Sequence, residues 1–252
     1  MARLFGEDIA VITGASSGLG HRFAQQLALN GAYICCLARR AEKLNALVEE
    51  IEREGGKAQA FVFDGAADGE CDRVIEQIFD RVGVPTLLVN NAGQSVSTKA
   101  EQMPLDQFDE LMAVNMRAPW RLSQLCAQRW IRDGIPGRIV NISSILGRRV
   151  QKGVAAYAIS KAALTHMTAA LAVEWARYGI RVNALCPGFI RTDINAAFWD
   201  TELGKAELQR LPRRRVMGPE KMDQALMFLA DPSNDYLTGE AVYIDDAQGW
   251  VI

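Results

Sequence analysis

The sequence predicts an α/β fold with a doubly wound parallel sheet of about seven strands and helices on both faces. Short apolar runs alternate with helical patterns along all 252 residues, the first run leads into a glycine-rich turn, and no linker or internal repeat interrupts the order. Such alternation is typical of a Rossmann-type parallel sheet that is buried on both faces. We therefore expect a single domain over residues 1–252.

Each predicted strand is a short apolar run that ends in polar or turn-forming residues. The predicted strands are Ile9–Thr13, Tyr33–Ala38, Ala58–Asp64, Thr86–Asn90, Arg138–Ser143, Arg181–Leu185 and Ala241–Ile244. Between the strands, apolar residues recur with helical spacing. The predicted helices are Leu19–Leu29, Ala41–Glu54, Gly69–Val82, Leu105–Asp133, Tyr157–Tyr178 and Pro219–Ala230.

The segment 188–218 breaks this alternation. It is too long for a simple loop, and it contains Phe189, Phe198 and Trp199. Long irregular segments in compact domains are usually functional or disordered, and the aromatic residues favour a function. We expect this segment to form a substrate-binding lid.

The bulk composition excludes several classes of function. A formal net charge of −2 and a pI of about 5.8 give no basic surface for nucleic acid. No stretch has the character of a membrane span or a secretory leader. The five cysteines include no Cys-x-x-Cys, and His21 and His166 are far apart, so no metal site is predicted. We expect a cytoplasmic protein without a nucleic-acid or membrane partner.

The first strand runs into the glycine-rich sequence Thr13–Gly20, where the first helix begins. Glycines let the backbone turn sharply and approach a pyrophosphate, while the helix N-terminus supplies free N–H groups and a positive dipole. An ordinary glycine turn is the alternative. The residues expected to hold a dinucleotide here are Gly14, Ser16, Ser17, Gly18, Leu19 and Gly20.

The end of the second strand indicates which dinucleotide binds. An acidic residue there would bind the ribose 2′-hydroxyl of NAD. The strand instead ends in Arg39 and Arg40, whose guanidinium groups suit the 2′-phosphate of NADP(H). We expect Arg39 to be the main contact and Arg40 the weaker one. Solvent-exposed arginines at the start of a helix are the alternative.

Two further strands end in candidate cofactor contacts. Asp64 ends the third strand, where its carboxylate could accept a hydrogen bond from the adenine amino group. Asn91, Ala92 and Gly93 follow the fourth strand, and their small size would let the cofactor lie close. Both positions belong to the carboxyl edge of the sheet, where doubly wound folds bind ligands.

Tyr157 and Lys161 lie four residues apart in a segment of strong helical propensity, so they share one helical face. This spacing alone is common on surface helices. It gains weight from the other motifs, because Ser144 stands thirteen residues before Tyr157 and a Cys-Pro-Gly sequence follows at 186–188.

Taken in order, these motifs resemble the single-domain short-chain dehydrogenase/reductases over nearly the whole chain. The matching sequences are TGASSGLG at 13–20, NNAG at 90–93, Asn115, IVNISS at 139–144, YAISK at 157–161, PG at 187–188 with Thr192, GPE at 218–220 and LTGE at 237–240. Within this family the sequence is most similar to bacterial 3-oxoacyl reductases and related ketone reductases.

The resemblance implies the residues of the active site, and it selects Ser144 over Ser143 by the family's spacing to the tyrosine. The implied catalytic tetrad is Asn115, Ser144, Tyr157 and Lys161. The implied contacts to the nicotinamide half of the cofactor are Pro187, Gly188, Ile190 and Thr192, together with Tyr157 and Lys161.

Tyr157 would move the proton that accompanies hydride transfer. A free tyrosine has a pKa near 10, so it exchanges protons poorly near neutrality. Lys161 and the positive nicotinamide of the oxidised cofactor would favour the phenolate and lower that pKa. Tyr157 would then act as an acid in reduction and as a base in oxidation, while Ser144 donates to the substrate oxygen.

Asn115 has a rationale in the long predicted helix, because Pro119 follows it by four residues. Proline has no N–H, so the Asn115 carbonyl loses its helical partner and the helix should bend. The free carbonyl would bind a water that relays protons to Lys161. A kink that merely fits the helix to the sheet is the alternative.

The substrate pocket is predicted to be mostly apolar, which favours an aliphatic or aromatic ketone. Its predicted lining is Ser95, Ile145, Leu146, Val150, Phe189, Phe198 and Trp199. Arg148, Arg149 and Lys152 crowd the loop between Ser144 and Tyr157. They either attract a carboxylate, phosphate or coenzyme A thioester at the rim, or they lie in a solvated loop.

Two features depart from the family's pattern. The last strand of the family usually ends in Asp-Gly-Gly, but Asp246 and Ala247 stand in place of the two glycines. Arg129 and Arg177 lie near the positions that would contact an acidic carrier protein, yet Tyr178 occupies the nearest match on the second helix. The packing of the C-terminus and a carrier-protein substrate therefore stay open.

Members of the family usually assemble as homotetramers or homodimers through two long helices, and we expect the same assembly here. The apolar residues of these helices, which could equally belong to the core, are Leu122, Leu125, Trp130, Leu171 and Trp175.

We expect NADPH-dependent reduction of a small-molecule ketone, such as a 3-oxoacyl ester, to a secondary alcohol. An NADP-linked dehydrogenase of a polyol or hydroxysteroid is the second interpretation, because the same tetrad works in both directions. A non-catalytic NADP-binding sensor is the third, and the presence of both Tyr157 and Lys161 argues against it.

Overall fold

The computed structural model describes residues 4–6, 8–192 and 195–252. Positions 193 and 194 of the 188–218 segment therefore lie outside the described residues. In the described part of the chain, seven strands form one parallel sheet. They are β1 (Ile9–Thr13), β2 (Tyr33–Ala38), β3 (Lys57–Val62), β4 (Leu87–Asn90), β5 (Arg138–Ile142), β6 (Arg181–Pro187) and β7 (Ala241–Ile244).

The strand order is β3-β2-β1-β4-β5-β6-β7, and each neighbouring pair is parallel. The order reverses between β1 and β4, where the chain passes from one half of the sheet to the other. Doubly wound sheets bind ligands at this point, beyond the carboxyl ends of the strands. The predicted fold class is confirmed.

Helices cover both faces of the sheet. Within the described ranges they are α1 (Gly18–Leu29), α2 (Ala41–Arg53), α3 (Glu70–Arg81), α4 (Leu105–Met112), α5 (Ala118–Asp133), α6 (Ala155–Trp175), α7 (Ala196–Trp199), α8 (Glu202–Arg210) and α9 (Asp223–Ala230). None of the helices in these ranges combines the length and the apolar character that crossing a bilayer requires. Helices α7 and α8 lie within the 188–218 segment.

Two hydrophobic clusters fill the two sides of the sheet, and successive strand residues enter them in turn. Ile12 of β1 belongs to one cluster and Val11 to the other. Leu122, Trp130 and Leu171 are buried in the cluster that contains Val11, so they are core residues rather than subunit contacts. Leu125 and Trp175, the other two apolar residues expected on these helices, are half-buried and pack against the same cluster.

The predicted helix Leu105–Asp133 is interrupted. A π-helical turn, Ala113–Arg117, joins α4 to α5, and in it the Ala118 N–H bonds to the Ala113 carbonyl. Pro119 is the second residue of α5, directly after the π turn, and it has no N–H to donate to the Asn115 carbonyl. The irregularity expected before the proline therefore takes the form of a π turn, which is frequent at functional sites.

All five cysteines are buried and free. Cys35 and Cys36 occupy successive positions of β2 and enter opposite clusters, because successive side chains of a strand point to opposite faces of the sheet. Burial raises the pKa of Cys36 and of Cys126 to about 12, and that of Cys71 and of Cys186 to about 11. The thiols therefore stay protonated and behave as small apolar side chains.

The chain after β7 makes a tight turn with a left-handed backbone at Asp246 and Ala247, where φ is 50° and 64°. The Asp245 carboxylate accepts hydrogen bonds from the N–H groups of Ala247 and Gly249, both at 3.1 Å. Residues other than glycine adopt this conformation at a cost of about 1–2 kcal/mol. The turn therefore keeps a backbone suited to glycine although neither glycine of the family's usual sequence is present.

Replacing Ala247 by glycine should raise the free energy of unfolding by about 1 kcal/mol, because the left-handed backbone no longer carries a Cβ. Ala46 is exposed in the middle of α2, so Ala46→Gly is a matched control. There glycine should lower the free energy of unfolding by about 0.5–1 kcal/mol, since it only adds entropy to the unfolded chain. Urea unfolding measures the free energy of unfolding of both variants. A decrease at both positions would contradict backbone strain at Ala247.

Candidate active site

A cleft of about 590 Å³ lies along the carboxyl edge of the sheet and collects nearly all the predicted cofactor residues. Those that line it are Gly14, Ser16, Ser17, Gly18, Leu19, Arg39, Arg40, Asp64, Asn91, Ala92, Gly93, Tyr157, Lys161, Pro187, Gly188, Ile190 and Thr192. Gly20 is buried beneath the loop rather than in the lining. Motifs that are dispersed along the sequence thus meet in one site.

Two glycines let separate backbone segments come close at the floor of the cleft. Gly14 has a φ of 69°, and a Cβ there would lie 2.9 Å from the Cα of Ala92. A Cβ on Gly20 would lie 2.4 Å from both the Asn91 Nδ2 and the Gly14 carbonyl oxygen. A side chain at either position would push the loops apart, so the floor of the cleft is made of backbone.

Thr13 ties the glycine-rich loop to the end of β4. Its Oγ1 accepts hydrogen bonds from the N–H groups of Asn91 at 3.0 Å and Ala92 at 2.9 Å. In return, the Asn91 Nδ2 donates to the Thr13 carbonyl at 2.9 Å. The ends of β1 and β4 are therefore held together at the point where the strand order reverses.

The Arg40 guanidinium lies on the glycine-rich loop. Its Nη2 donates to the Ser16 Oγ and the Ser17 Oγ, both at 2.8 Å. Arg39 is exposed and also lines the cleft. Arg40, expected to be the weaker contact, is thus the arginine whose side chain is bound to the loop.

The other end of the cleft brings together Ser144, Tyr157 and Lys161. Tyr157 and Lys161 share one face of α6, with the Lys161 Nζ 5.7 Å from the centre of the Tyr157 ring. Lys161 is buried, and its Nζ donates to the Ile142 carbonyl at 2.8 Å. The Ser144 Oγ accepts from the Leu146 N–H at 3.1 Å, which leaves the hydroxyl proton free to be donated.

The neighbouring serine has different partners. The Ser143 Oγ donates to the Lys161 carbonyl at 3.0 Å and lies 2.7 Å from the Thr165 Oγ1. Ser143 is therefore engaged with α6, whereas the hydrogen bond of the Ser144 Oγ is with the Leu146 N–H. This geometry supports Ser144 as the serine that faces a substrate.

Burial governs the titration of the tyrosine and the lysine. It lowers the pKa of Lys161 to about 8. Burial also raises the pKa of Tyr157, and the hydrogen bond with Ser144 opposes that rise. Within the chain itself the pKa of Tyr157 thus moves upward, because burial outweighs the hydrogen bond with Ser144. The expected lowering, which also includes the positive nicotinamide of the oxidised cofactor, stays a prediction.

The Asn115 side chain is buried and fully hydrogen-bonded. Its Oδ1 accepts from the Gln94 N–H and its Nδ2 donates to the Gln94 carbonyl, both at 2.9 Å. Its Nδ2 also donates to the Ser160 Oγ at 2.9 Å, and Ser160 donates to the Tyr157 carbonyl at 2.7 Å. The side chain therefore joins the π turn to the loop after β4 and to α6, a role that the sequence analysis did not foresee.

Of the predicted substrate-pocket residues, only Ser95 is in the described lining of the cleft. The others lie elsewhere; they are Ile145, Leu146, Val150, Phe189, Phe198 and Trp199. Ile145 and Leu146 turn inward and pack with Ala158 in a small core cluster. Their side chains therefore contribute to packing beneath the site rather than to its surface.

The aromatic residues of the 188–218 segment form a cluster of their own. Phe189 and Phe198 pack edge-on against Trp199, with ring centres 5.7 and 5.1 Å apart. Trp199 is buried, whereas Phe198 and Val150 are exposed. Contact of these four residues with a substrate stays a prediction.

The cleft also contains residues that the motifs did not single out. They are Ala38, Phe63, Gly65, Gln94 and Val114. Each is next to a strand end or a motif residue, and that adjacency is the signal that could have found them. No group of three or more His, Cys, Asp and Glu side chains able to hold a metal ion occurs among the residues that the structure describes.

The sequence profile of the family described as short chain dehydrogenase matches residues 8–203. A 3-oxoacyl-(acyl-carrier-protein) reductase of Thermotoga maritima is 33% identical over 237 residues, which cover 94% of this chain and 96% of that relative. The gluconate 5-dehydrogenase of Gluconobacter oxydans is 31% identical over 237 residues, covering 94% of this chain and 92% of that relative.

Solved structures show the same similarity. The crystal structure of a gluconate 5-dehydrogenase from Burkholderia cenocepacia J2315, in complex with NADP and tartrate, matches with a TM-score of 0.92 at 31% identity. The match covers 100% of this chain and 99% of that chain. Reductases of carrier-bound ketones and dehydrogenases of sugar acids are thus both similar to this chain.

Asn115→Ala should lower the free energy of unfolding by about 1–3 kcal/mol, because the half-buried N–H and carbonyl of Gln94 lose their partners and Ser160 loses its donor. Ser160→Ala is the matched control, since it leaves both bonds to Gln94 in place, and it should cost about 1 kcal/mol. Urea unfolding measures both variants. If Asn115→Ala were as stable as the parent, the side chain of Asn115 would not fasten the π turn to the loop after β4.

Proposed function

Because the chain belongs to the short-chain dehydrogenase family, we propose that it is an NADP(H)-dependent oxidoreductase that reduces a ketone to a secondary alcohol. One observation carries this proposal. Ser144, Tyr157 and Lys161 lie in the same cleft as the glycine-rich loop and the two arginines. The groups that would transfer a proton and the groups that would hold a phosphorylated dinucleotide therefore share one continuous site.

The cleft fits such a dinucleotide. Gly14 and Gly18 have a left-handed backbone, with φ of 69° and 57°, which leaves the loop open for a pyrophosphate at the start of α1. Arg40, held on Ser16 and Ser17, suits a 2′-phosphate. When bound, the cofactor supplies the hydride that reduces the carbonyl carbon. The residues proposed to hold its adenine and nicotinamide are Asp64, Asn91, Ala92, Gly93, Pro187, Gly188, Ile190 and Thr192.

Tyr157 is the proposed proton donor to the substrate oxygen in reduction, and the base that removes the same proton in oxidation. The Ser144 hydroxyl, oriented by the Leu146 N–H, donates to that oxygen as negative charge develops on it. Lys161 in its ammonium form stabilises the phenolate that Tyr157 becomes. Since its pKa is about 8, this assistance declines as the pH rises through that value.

The 188–218 segment is proposed as the substrate lid. Its two ends meet where Ile190 and Met217 form a parallel bridge, and the Arg191 N–H donates to the Met217 carbonyl at 2.8 Å. Because Ile190 and Thr192 line the cleft, the segment starts at the site and extends beyond it. This arrangement supports a lid that is attached at a narrow neck.

Oxidation of a polyol or sugar acid is the second candidate function. The residues at the tyrosine end of the cleft include Gln94, Ser95 and Ser144, while the apolar residues predicted for a hydrophobic pocket lie elsewhere. Amide and hydroxyl groups suit a substrate with several hydroxyls. Relatives named gluconate 5-dehydrogenase support this candidate.

Self-association as a homotetramer or homodimer through α5 and α6 is also proposed. Trp120 on α5 and Ile159 and Val173 on α6 expose large apolar side chains. Tryptophan is enriched in subunit contacts, and the buried centres of such contacts are more apolar than the rest of a protein surface. These exposed residues, and not the buried ones considered from the sequence, are therefore the proposed subunit contacts.

A panel of ketones tests the function. NADPH oxidation should occur with at least one of acetoacetyl-CoA, a 3-oxoester, an aryl ketone and a keto sugar acid. Tyr157→Phe should lower kcat by at least about 100-fold, because it removes the proton donor. NADPH binding without turnover on any member would favour the sensor, and selective turnover of the keto sugar acid would favour the second candidate.

Cofactor selection should depend more on Arg40 than on Arg39. Arg40→Ala removes the guanidinium held on the loop, so the NADPH dissociation constant should rise about 10–100-fold while that for NADH changes little. Arg39→Ala is the matched control, with a smaller expected rise. Fluorescence titration measures both. A larger effect at Arg39 would restore the order that the sequence predicted.

A further inference from the structure

The residues 245–249 after β7, here called the C-terminal turn, contact three other segments near the site. Their side chains and backbone bind the start of the 188–218 segment, its end, and the loop that follows Ser144. These segments are far apart in the sequence. One short turn thus connects both ends of the proposed lid to the loop of the catalytic serine.

Gln248 binds the start of the 188–218 segment. Its side chain is buried, and its Oε1 accepts a hydrogen bond from the Phe189 N–H at 2.7 Å. A Cβ on Gly188 would lie 2.5 Å from this oxygen, so Gln248 reaches its partner only because residue 188 is glycine. The Gln248 Nε2 has no hydrogen-bond partner among the described residues. Burying the Nε2 without a partner costs stability, so we take the hydrogen bond that the Oε1 accepts to be the function of this side chain.

Asp246 binds the end of the same segment. Its carboxylate lies 3.1 Å from the Arg213 Nη1 and 2.8 Å from the Arg215 Nε. The side chain of Asp246 is largely buried by these contacts, and the hydrogen bond from Arg215 is the main cause that lowers its pKa. Asp246 also occupies a left-handed backbone position that glycine would adopt without strain. Glycine at this position would relieve the backbone strain, but it would also remove the carboxylate that pairs with Arg213 and Arg215.

The loop after Ser144 is bound to the same turn. The Arg148 guanidinium lies 3.7 Å from the centre of the Tyr243 ring and pairs with Asp245 at 3.5 Å. Arg149 donates to the Gly249 carbonyl. These two arginines, considered from the sequence as an anion-binding rim, are thus used to hold the C-terminal turn in place.

We propose that Asp246 and Gln248 are positioning residues that set where the 188–218 segment lies over the substrate end of the cleft. The proposal rests on the proposed function, since it takes that segment to be the substrate lid. Neither side chain lines the cleft, so Gln248 acts through the Phe189 backbone and Asp246 acts through Arg213 and Arg215. Loss of either anchor would release one end of the segment and weaken substrate binding.

Hydrogen exchange tests the first anchor directly. Gln248→Leu removes the acceptor while keeping a similar volume, so the Phe189 amide should exchange about 10-fold faster. Gln248→Glu keeps an acceptor oxygen and should restore most of the protection. Mass spectrometry of a peptide that spans Phe189 measures the exchange rate in the parent and in both variants.

Limited proteolysis tests the second anchor. Asp246→Asn removes the charge while asparagine tolerates the left-handed backbone, so trypsin should cleave the arginine-rich 188–218 segment about 3-fold faster. Asp68→Asn is the matched control, because its carboxylate pairs with Arg117 at 3.1 Å on an exposed surface outside the cleft lining. It should leave the cleavage rate unchanged.

Kinetics separate positioning from a general loss of structure. With a ketone that the parent reduces, Asp246→Asn should raise KM about 5-fold while kcat and the NADPH dissociation constant change by less than about 2-fold, because Arg213 and Arg215 lie outside the cofactor lining. Asp68→Asn should leave KM at the parent value. A merely structural defect would weaken NADPH binding and substrate binding together.

Unchanged exchange and cleavage in the variants would overturn the proposal. A fall in NADPH affinity as large as the rise in KM, or an equal effect of Asp68→Asn, would overturn it as well. Exchange and proteolysis need no turnover, so they report on the anchors even if every ketone of the panel fails. Failure of the anchors is therefore distinguishable from failure of the proposed function.

Discussion

The site depends on one close contact, between the loop after β1 and the end of β4. Thr13 and Asn91 exchange hydrogen bonds there, and Gly14 and Gly20 leave no space for side chains between the two backbones. Because the strand order reverses at this point, the contact fixes how the loops that leave the two halves of the sheet lie against each other. The floor that it creates is smooth backbone, and the polar side chains that could bind a ligand stand around its edge.

The second half of the site is built onto this floor. Lys161 donates to the Ile142 carbonyl, and a Cβ on Gly93 would come within 3.2 Å of its Nζ. Asn115 and Ser160 fasten the same helix to the loop after β4. The lysine is therefore positioned by backbone acceptors and by small neighbours. Its burial, which lowers its pKa, is a consequence of the packing that also places the tyrosine beside the cleft.

Strands, helices and motif positions could be predicted because apolar periodicity and turn residues are local signals. Boundaries were less exact: the third strand, expected at Ala58–Asp64, lies at Lys57–Val62. Side-chain directions could not be predicted in this way. Whether Arg39 or Arg40 lies on the glycine-rich loop depends on how the backbone curves after β2. Ile145 turned inward because the residues after Ser144 form a short 3₁₀ turn. Contacts between distant segments, such as those of the C-terminal turn, leave no periodic trace in the sequence.

Because all five thiols are buried, the rates at which they react would measure local unfolding in the regions around them. Alkylating reagents attack the thiolate, and burial raises the pKa of each cysteine far above neutrality. Each thiol therefore reacts only when its surroundings open, and the thiols lie in different parts of the fold. Cys36 reports on the side of the sheet under α1 and α2, Cys126 on α5, and Cys186 on β6 near Lys161. The relative rates of alkylation would rank the regions of the molecule by how readily they unfold.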